Sequence, residues 1–303
     1  MLKTFQEVIS DYTFPPGIKD FRQDLENRVL KPAFTYWTTK CRIHSVTMGN
    51  AFTFLKLAVA NLDRDLKLEE VKSILSDSIE AYTEERIEFA DKAICKHASS
   101  KIMEGDVILT YAKNDLIQML LLNQEKKFRV ILVDSRPLLE GKDMLKTLID
   151  AGIECTFVLL NSLSYVMKEV TKVFLGASAL MSNGSILSRV GTASVAMMAR
   201  SYNVPVLVCC ETYKISSRVQ LESITGNELG NPEGLSSPSS SLKEYQASHG
   251  QNLRLLNLLY DLTPSEFVSG IVTEMGILPP TSVAVLLREM NPQDSGFKAD
   301  DIS

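Results

Sequence analysis

Histidine is scarce. The 303 residues hold three, His44, His97 and His249, far apart along the chain. That scatter fits no zinc-ligand spacing and leaves a nucleophilic serine or cysteine without a nearby base, so no metal site is expected. Cysteine is sparse too. Cys41, Cys95, Cys155, Cys209 and Cys210 are odd in number and show no CxxC spacing, which argues against a disulfide framework and for core thiols in a reducing compartment. Neither GxGxxG nor GxxxxGK(S/T) occurs, so the glycine loops that cradle dinucleotides and nucleoside triphosphates are missing and no cofactor is implied. Positive charge is not in excess. A net charge of −5 weighs against direct nucleic-acid binding and against an anionic membrane surface. No apolar run is long enough to span a bilayer. The opening "MLKTFQEVISDYTFPP" is amphipathic with acidic residues, unlike a signal peptide.

What is present is the composition of a globular protein, 45% hydrophobic and 23% charged, long enough to bury a core without staples. Two regimes of patterning divide it. Residues 1–104 read as a helical domain. "LKTFQEVISDY" is a short helix stopped near Pro15-Pro16. "KDFRQDLENRVLKPAFTYWTTK" is another, bent or interrupted at Pro32. Phe52, Leu55, Val59 and Leu62 share one helical face, as do Val71, Leu75, Ile79 and Tyr82 in a long charged helix that runs on to residue 99.

From Gly105 the pattern changes to strands alternating with helices, "DVILTY", "NDLIQMLLLNQEKK", "FRVILVD", "GKDMLKTLIDAG", "IECTFVLL". Residues 105–290 therefore predict an α/β domain, Rossmann-like, with a mostly parallel sheet and helices on both faces. "KVFLGASALMS" and "VPVLVCC" read as further strands. "LLNLLYDLT" reads as the last one, followed by a helix that Thr263 caps with Pro264 at its first position. The stretch 224–250, rich in Ser, Gly and Pro, reads as a mobile surface loop, and residues 291–303 as a polar tail.

Ligands of open parallel sheets bind beyond the carboxyl ends of the strands. Four such ends are legible: Thr110 to Lys113, Asp134 to Pro137, Ser182 to Ser185, and Cys210 to Lys214. Arg136 suits an anion, or else a structural pair with Asp134. Gly184 and Gly191 either admit a ligand's approach or make turns and tight helix contacts. Arg136, Asn183, Gly184, Ser185 and Arg189 form the candidate pocket. Cys209 and Cys210 read as buried strand residues, with Glu211 and Lys214 paired at a rim. The charged stretch Glu84, Glu85, Arg86 and Glu88, with Phe89 at its edge, is either solvated surface or a docking face for a basic partner.

"VDSRPLLEGK", "GASALMSNGSILSRVGTASVAMMARSYNVPVLVCCETYK" and "YDLTPSEFVSGIVTEMG" together resemble one family over nearly the whole chain. It contains the alpha, beta and delta regulatory subunits of translation initiation factor 2B, and its enzyme relatives are ribose-1,5-bisphosphate and methylthioribose-1-phosphate isomerases. "NGSILSRVGT" followed by "PVLVCCETYK" looks like its delta members, as does the loop "NELGNPEGL". The long basic N-terminal extension usual in delta members is not seen in these 303 residues.

The resemblance implies a cytosolic, non-catalytic subunit of the exchange factor for initiation factor 2, part of the integrated stress response. Its implied partners are the alpha, beta, gamma and epsilon subunits and the alpha subunit of initiation factor 2, whose phosphorylation inhibits exchange. The exchange step itself would belong to epsilon. The isomerases carry a cysteine and an aspartate at positions that here hold Ala112 and Ser178, and an Asn-Lys pair where Ser188-Arg189 stands. A methyl and a hydroxymethyl cannot shuttle protons at neutral pH. The alternatives are an isomerase with relocated groups, its phosphate held by Arg136, Ser185 and Arg189, or a sensor that binds a phosphate ligand without turnover.

Overall fold

The computed structural model describes residues 1–14, 20–41, 45–220, 227–235 and 252–290. His44, His249, Pro15-Pro16 and the tail from Asn291 lie outside the described residues. The chain divides into two compact units, Met1–Asp91 with Glu211–Lys214, and Lys92–Cys210 with Ile215–Ser303.

The first unit is helical. Helix α1 (Leu2–Ser10) buries Phe5 and Ile9. Asp20 starts α2 (Phe21–Asp24), accepting the Arg22 N–H at 3.0 Å. The expected disturbance at Pro32 takes the form of a π-helical stretch, Leu25–Leu30, just ahead of it; α3 (Lys31–Tyr36) follows. Proline offers no N–H to the preceding turn and its ring needs room there, which a wider turn supplies. Helix α4 (Val46–Ala60) is capped by the Ser45 hydroxyl. Its Phe52, Leu55 and Val59 are buried together with Leu62, Val71, Leu75 and Ile79 of α5 (Leu68–Thr83) and the segment before it. Both predicted faces thus meet in one core, except for Tyr82, which is half-buried and stacks on Phe54 instead; each fully buried leucine there is worth about 2 kcal/mol over an exposed one. The long charged helix is not uniform. A π-helical stretch, Glu84–Phe89, separates α5 from α6 (Ala90–Ser99). Segment Glu211–Lys214 belongs to this unit: Asn50 donates to the Tyr213 carbonyl at 2.8 Å, and Lys214 pairs with Glu211 at 2.7 Å.

In the second unit β1 (Val107–Tyr111), α7 (Asp115–Leu122), β2 (Arg129–Asp134), α8 (Gly141–Asp150) and β3 (Glu154–Leu159) follow the expected alternation. After α9 (Leu163–Val166) comes β4 (Lys172–Gly176). The predicted strand "KVFLGASALMS" then breaks: β5 (Ala179–Met181) pairs instead with β6 (Ile186–Arg189) in a second sheet. The stretch 182–185, read as a strand end facing a ligand, is the turn of this hairpin. Helix α10 (Thr192–Ser201), β7 (Val206–Cys209), β8 (Ile215–Ser216) and β9 (Tyr260–Thr263) follow.

Strand β9 is not the last, and no helix starts at Thr263. A short 3-10 turn leads to the hairpin of β10 (Gly270–Thr273) and β11 (Gly276–Leu278), and α11 (Val283–Met290) closes the described chain. β-branched Ile271, Val272 and Thr273 favour the strand, and Gly276, at φ +125°, makes the turn. Within the predicted loop, residues 227–235 hydrogen-bond to the segment that leads into β9. Gly230 N–H donates to the Asn257 carbonyl at 2.8 Å, and Asn227 holds the Tyr260 carbonyl at 2.6 Å. The rest of that loop lies outside the described residues.

The main sheet has the order β11-β10-β7-β4-β1-β2-β3, parallel except for β10–β11. Successive side chains of β1 serve opposite cores, Leu109 and Tyr111 facing α10, and Ile108 facing α7 and α8. The order reverses at β1, so the crevice between the ends of β1 and β4 is the switch point where open α/β sheets take ligands. The second sheet has the order β8-β5-β6-β9 and hangs from the end of β4.

Candidate ligand crevice at the sheet switch point

Three strand ends converge here: Tyr111 to Lys113 after β1, Asp134 to Arg136 after β2, and Gly176 to Ser178 at the end of β4. They enclose two cavities. The first, about 30 Å³, is bounded by Ala112, Ser135, Arg136, Glu140 and Val190 with residues 257–259. The second, about 180 Å³, is bounded by Lys113, Asn114, Ser178, Ser188, Thr192 and Tyr260. Tyr111 and Arg189 line both.

Tyr111 is buried at the end of β1, its hydroxyl 2.7 Å from Ser135 Oγ and 2.5 Å from the Val190 carbonyl oxygen. A carbonyl can only accept, so the phenolic proton goes to Val190 and Ser135 donates to the phenol oxygen. Burial, chiefly, pushes the Tyr111 hydroxyl up to about 12, with the carboxylates of Asp134, Asp261 and Glu140 adding to the rise. Arg189 is held by Glu140 at 2.6 Å and lies over the Tyr260 ring, 5.2 Å from its centre.

Arg136 is exposed and has no ion-pair partner among the described residues. The pair with Asp134 does not form, because that carboxylate accepts the N–H groups of Ser135 and Gly141, both at 2.8 Å. Asp134 is raised by burial. Of the five candidate pocket residues, the structure brings Arg136 and Arg189 to the same cavity. Asn183, Gly184 and Ser185 line neither cavity. Asn183 Oδ1 accepts the Ser185 N–H at 3.1 Å to shape the hairpin turn. Gly184, at φ +78°, lies against the Pro280 carbonyl. Ala112 lines the first cavity with a left-handed φ of +54°, and Ser178 lines the second.

The sequence reading missed Asp261. From β9 its Oδ2 accepts the N–H groups of Gly191 at 2.6 Å and Ala193 at 3.1 Å, occupying the N-terminus of α10. Its other oxygen is buried with no hydrogen-bond partner among the described residues, and burial pushes the carboxyl up to about 6. An aspartate in "YDLTP" reads as a strand residue. Only the pairing of β9 with β6 brings it beneath Gly191.

Among the described residues no cluster of three or more His, Cys, Asp or Glu side chains is placed to hold a metal ion, and no helix is long and apolar enough to cross a membrane. Cys95, Cys209 and Cys210 are buried, while Cys41 is exposed and Cys155 half-buried, so the core-thiol expectation fits three of the five. The five charged-stretch residues Glu84, Glu85, Arg86, Glu88 and Phe89 are all exposed on the π-helical segment of the first unit.

Residues 1–280 match the initiation factor 2 subunit family. The chain belongs to that family. Among its relatives are the translation initiation factor eIF2B delta subunits of Dictyostelium discoideum and Schizosaccharomyces pombe, 44% and 42% identical, each over 95% of this chain. The match covers 47% and 63% of those proteins, so this initiation factor 2 subunit family member spans roughly half to under two thirds of their length. A chain in the crystal structure of the tetrameric eIF2B-beta2-delta2 complex from C. thermophilum superposes with a TM-score of 0.79 at 31% identity, covering 90% of this chain and 83% of that one. Ribose 1,5-bisphosphate isomerases are more distant family relatives. That of Pyrococcus furiosus is 29% identical, over 67% of this chain and 62% of its own.

Proposed function

We propose that this family member is a regulatory, non-catalytic subunit of the guanine-nucleotide exchange factor for initiation factor 2, in the delta position. The observation that carries the reading is the 42–44% identity to eIF2B delta subunits across 95% of the chain. The crevice supports it. Where the isomerase resemblance calls for a thiol and a carboxylate, the chain offers Ala112 and Ser178, neither able to move a proton at neutral pH. On this reading the chain is cytosolic and pairs with a beta-type subunit in an assembly that includes alpha, gamma and epsilon. Its helical part senses phosphorylation of the alpha subunit of initiation factor 2.

Two measurements test the proposal. Co-purification from cells is expected to recover a beta-type partner, and a lone homodimer would overturn the reading. With ribose 1,5-bisphosphate and methylthioribose 1-phosphate no turnover is expected. Turnover lost in Arg136→Ala would revive the enzyme alternative.

For the docking face, the exposed run of Glu84, Glu85 and Glu88 around Arg86, with Phe89, offers negative charge to a basic surface. Glu85→Arg is expected to weaken binding of initiation factor 2 by up to about tenfold, mostly through the association rate, with assembly intact. Unchanged binding at low salt would remove this face from the proposal.

A further inference from the structure

We infer that Tyr111, together with the pinned Arg189, is a bolt that divides the crevice and keeps phosphosugars out of it. The inference rests on the non-catalytic reading but concerns a different property, the exclusion of ligand rather than the loss of chemistry. Four observations carry it. Tyr111 and Arg189 are the two residues common to both cavity linings, so they form the wall between them. The wall is fastened at both ends, Tyr111 by the Val190 carbonyl and Ser135, Arg189 by Glu140 and the Tyr260 ring. The tyrosine ring lies directly on the Gly191 backbone, where a side chain would collide with its hydroxyl. It is therefore seated against a surface that leaves it little room to swing aside. Finally, the free space is divided unequally by the wall, about 30 Å³ on one side and about 180 Å³ on the other.

The cations needed for an anionic sugar are still present but stand on opposite sides of the wall. Arg136 faces the first cavity and Lys113 the second, and both are exposed. A sugar carrying a phosphate at each end would have to reach both at once, through the space the phenol fills. A single phosphate need not. The bolt therefore selects against bisphosphates more strongly than against inorganic phosphate. Arg189, which could otherwise turn toward an anion, already holds the Glu140 carboxylate, and a ligand would have to displace it.

Calorimetry with the full chain tests the inference, using ribose 1,5-bisphosphate and inorganic phosphate as probes. Tyr111→Leu keeps an apolar side chain in the core and removes the wall. It is expected to tighten bisphosphate binding at least about tenfold while phosphate affinity barely moves. Glu140→Gln, at a half-exposed position, removes the charge that pins Arg189 and weakens the hold on it. It is expected to tighten both probes a few-fold even if the Tyr111 variant unfolds. Tyr111→Phe keeps the ring but loses the fastening to Val190 and Ser135, and is expected to fall between wild type and Tyr111→Leu. Wild-type binding of the bisphosphate as tight as in the variants would overturn the bolt, as would no gain in either Tyr111→Leu or Glu140→Gln. Binding without turnover would leave the non-catalytic reading standing, whereas turnover by the wild type would remove that reading independently.

Discussion

Gly191→Ala is expected to destabilise the α/β unit by about 3 kcal/mol or more. Two independent costs add. Gly191 holds φ +108°, a conformation that an L-residue adopts at a cost of about 1–2 kcal/mol. A Cβ there would also overlap the Tyr111 hydroxyl and ring, and overpacking of this kind costs about 1–3 kcal/mol. Tyr111 cannot retreat without releasing Val190 and Ser135. Gly105→Ala separates the two costs, because Gly105 has φ +79° and nothing within 4 Å of its Cβ position. That control is expected to lose only the backbone share, about 1 kcal/mol. In a Tyr111→Leu background the steric share of Gly191→Ala should disappear while the backbone share stays. Urea unfolding of wild type, the three single variants and the Tyr111→Leu/Gly191→Ala double variant measures all of this. If Gly191→Ala and Gly105→Ala cost the same, the ring does not rest on Gly191.

Residues of the same kind show where the sequence is legible and where it is not. Phe52, Leu55 and Val59 announce their helix by spacing alone, because one stripe must face one core. The strands β1 and β2 announce themselves by unbroken apolar runs, because both faces are covered. The glycines were legible in kind, since turns and tight contacts were among their expected roles.

What failed has one physical origin. "KVFLGASALMS" is apolar throughout, and composition cannot tell one long strand from two short ones in different sheets. The break falls at Ala177-Ser178, whose small side chains carry no signal for it. "LTPSEFVSGIVTEMG" contains a good N-cap and proline, yet β7 supplies an edge for Gly270–Thr273, and tertiary pairing overrides a local cap. The crevice was legible as a set of strand ends. Which residues share a cavity was not, because that depends on the second sheet turning Asn183, Gly184 and Ser185 away while lifting Arg189 toward Glu140.

Asp261 was illegible for the same reason, and it governs the second large effect. Its carboxyl is pushed up to about 6 from an ordinary 3.8, chiefly by burial and against the pull of two backbone N–H donors. The folded protein therefore keeps this proton up to about pH 6, whereas the unfolded chain releases it near 3.8. Within that window folding takes up a proton, so stability is highest below it and is lost as pH rises through it. The whole difference is about 3 kcal/mol, of which about 2 kcal/mol falls between roughly pH 4.5 and 7.5.

Asp261→Asn mimics the protonated form, because the amide oxygen still accepts from Gly191 and Ala193 without a buried charge. It is expected to be more stable than wild type by about 2–3 kcal/mol near neutral pH and to converge with it near pH 4. Asp261→Ala loses the acceptor and leaves the α10 N-terminus unsatisfied, a loss of about 1–2 kcal/mol relative to Asn at every pH. Parallel pH profiles for wild type and Asp261→Asn would show that the carboxyl titrates normally. Such a costly carboxylate has a consequence for the crevice. The N-terminus of a ten-residue helix is a ready seat for a phosphate, and here the protein's own Asp261 already sits in it. An incoming anion meets a helix end neutralised from within as well as a wall of phenol, two obstacles that act independently. Asp261→Asn is therefore expected to add its own gain in bisphosphate affinity on top of that of Tyr111→Leu rather than to duplicate it.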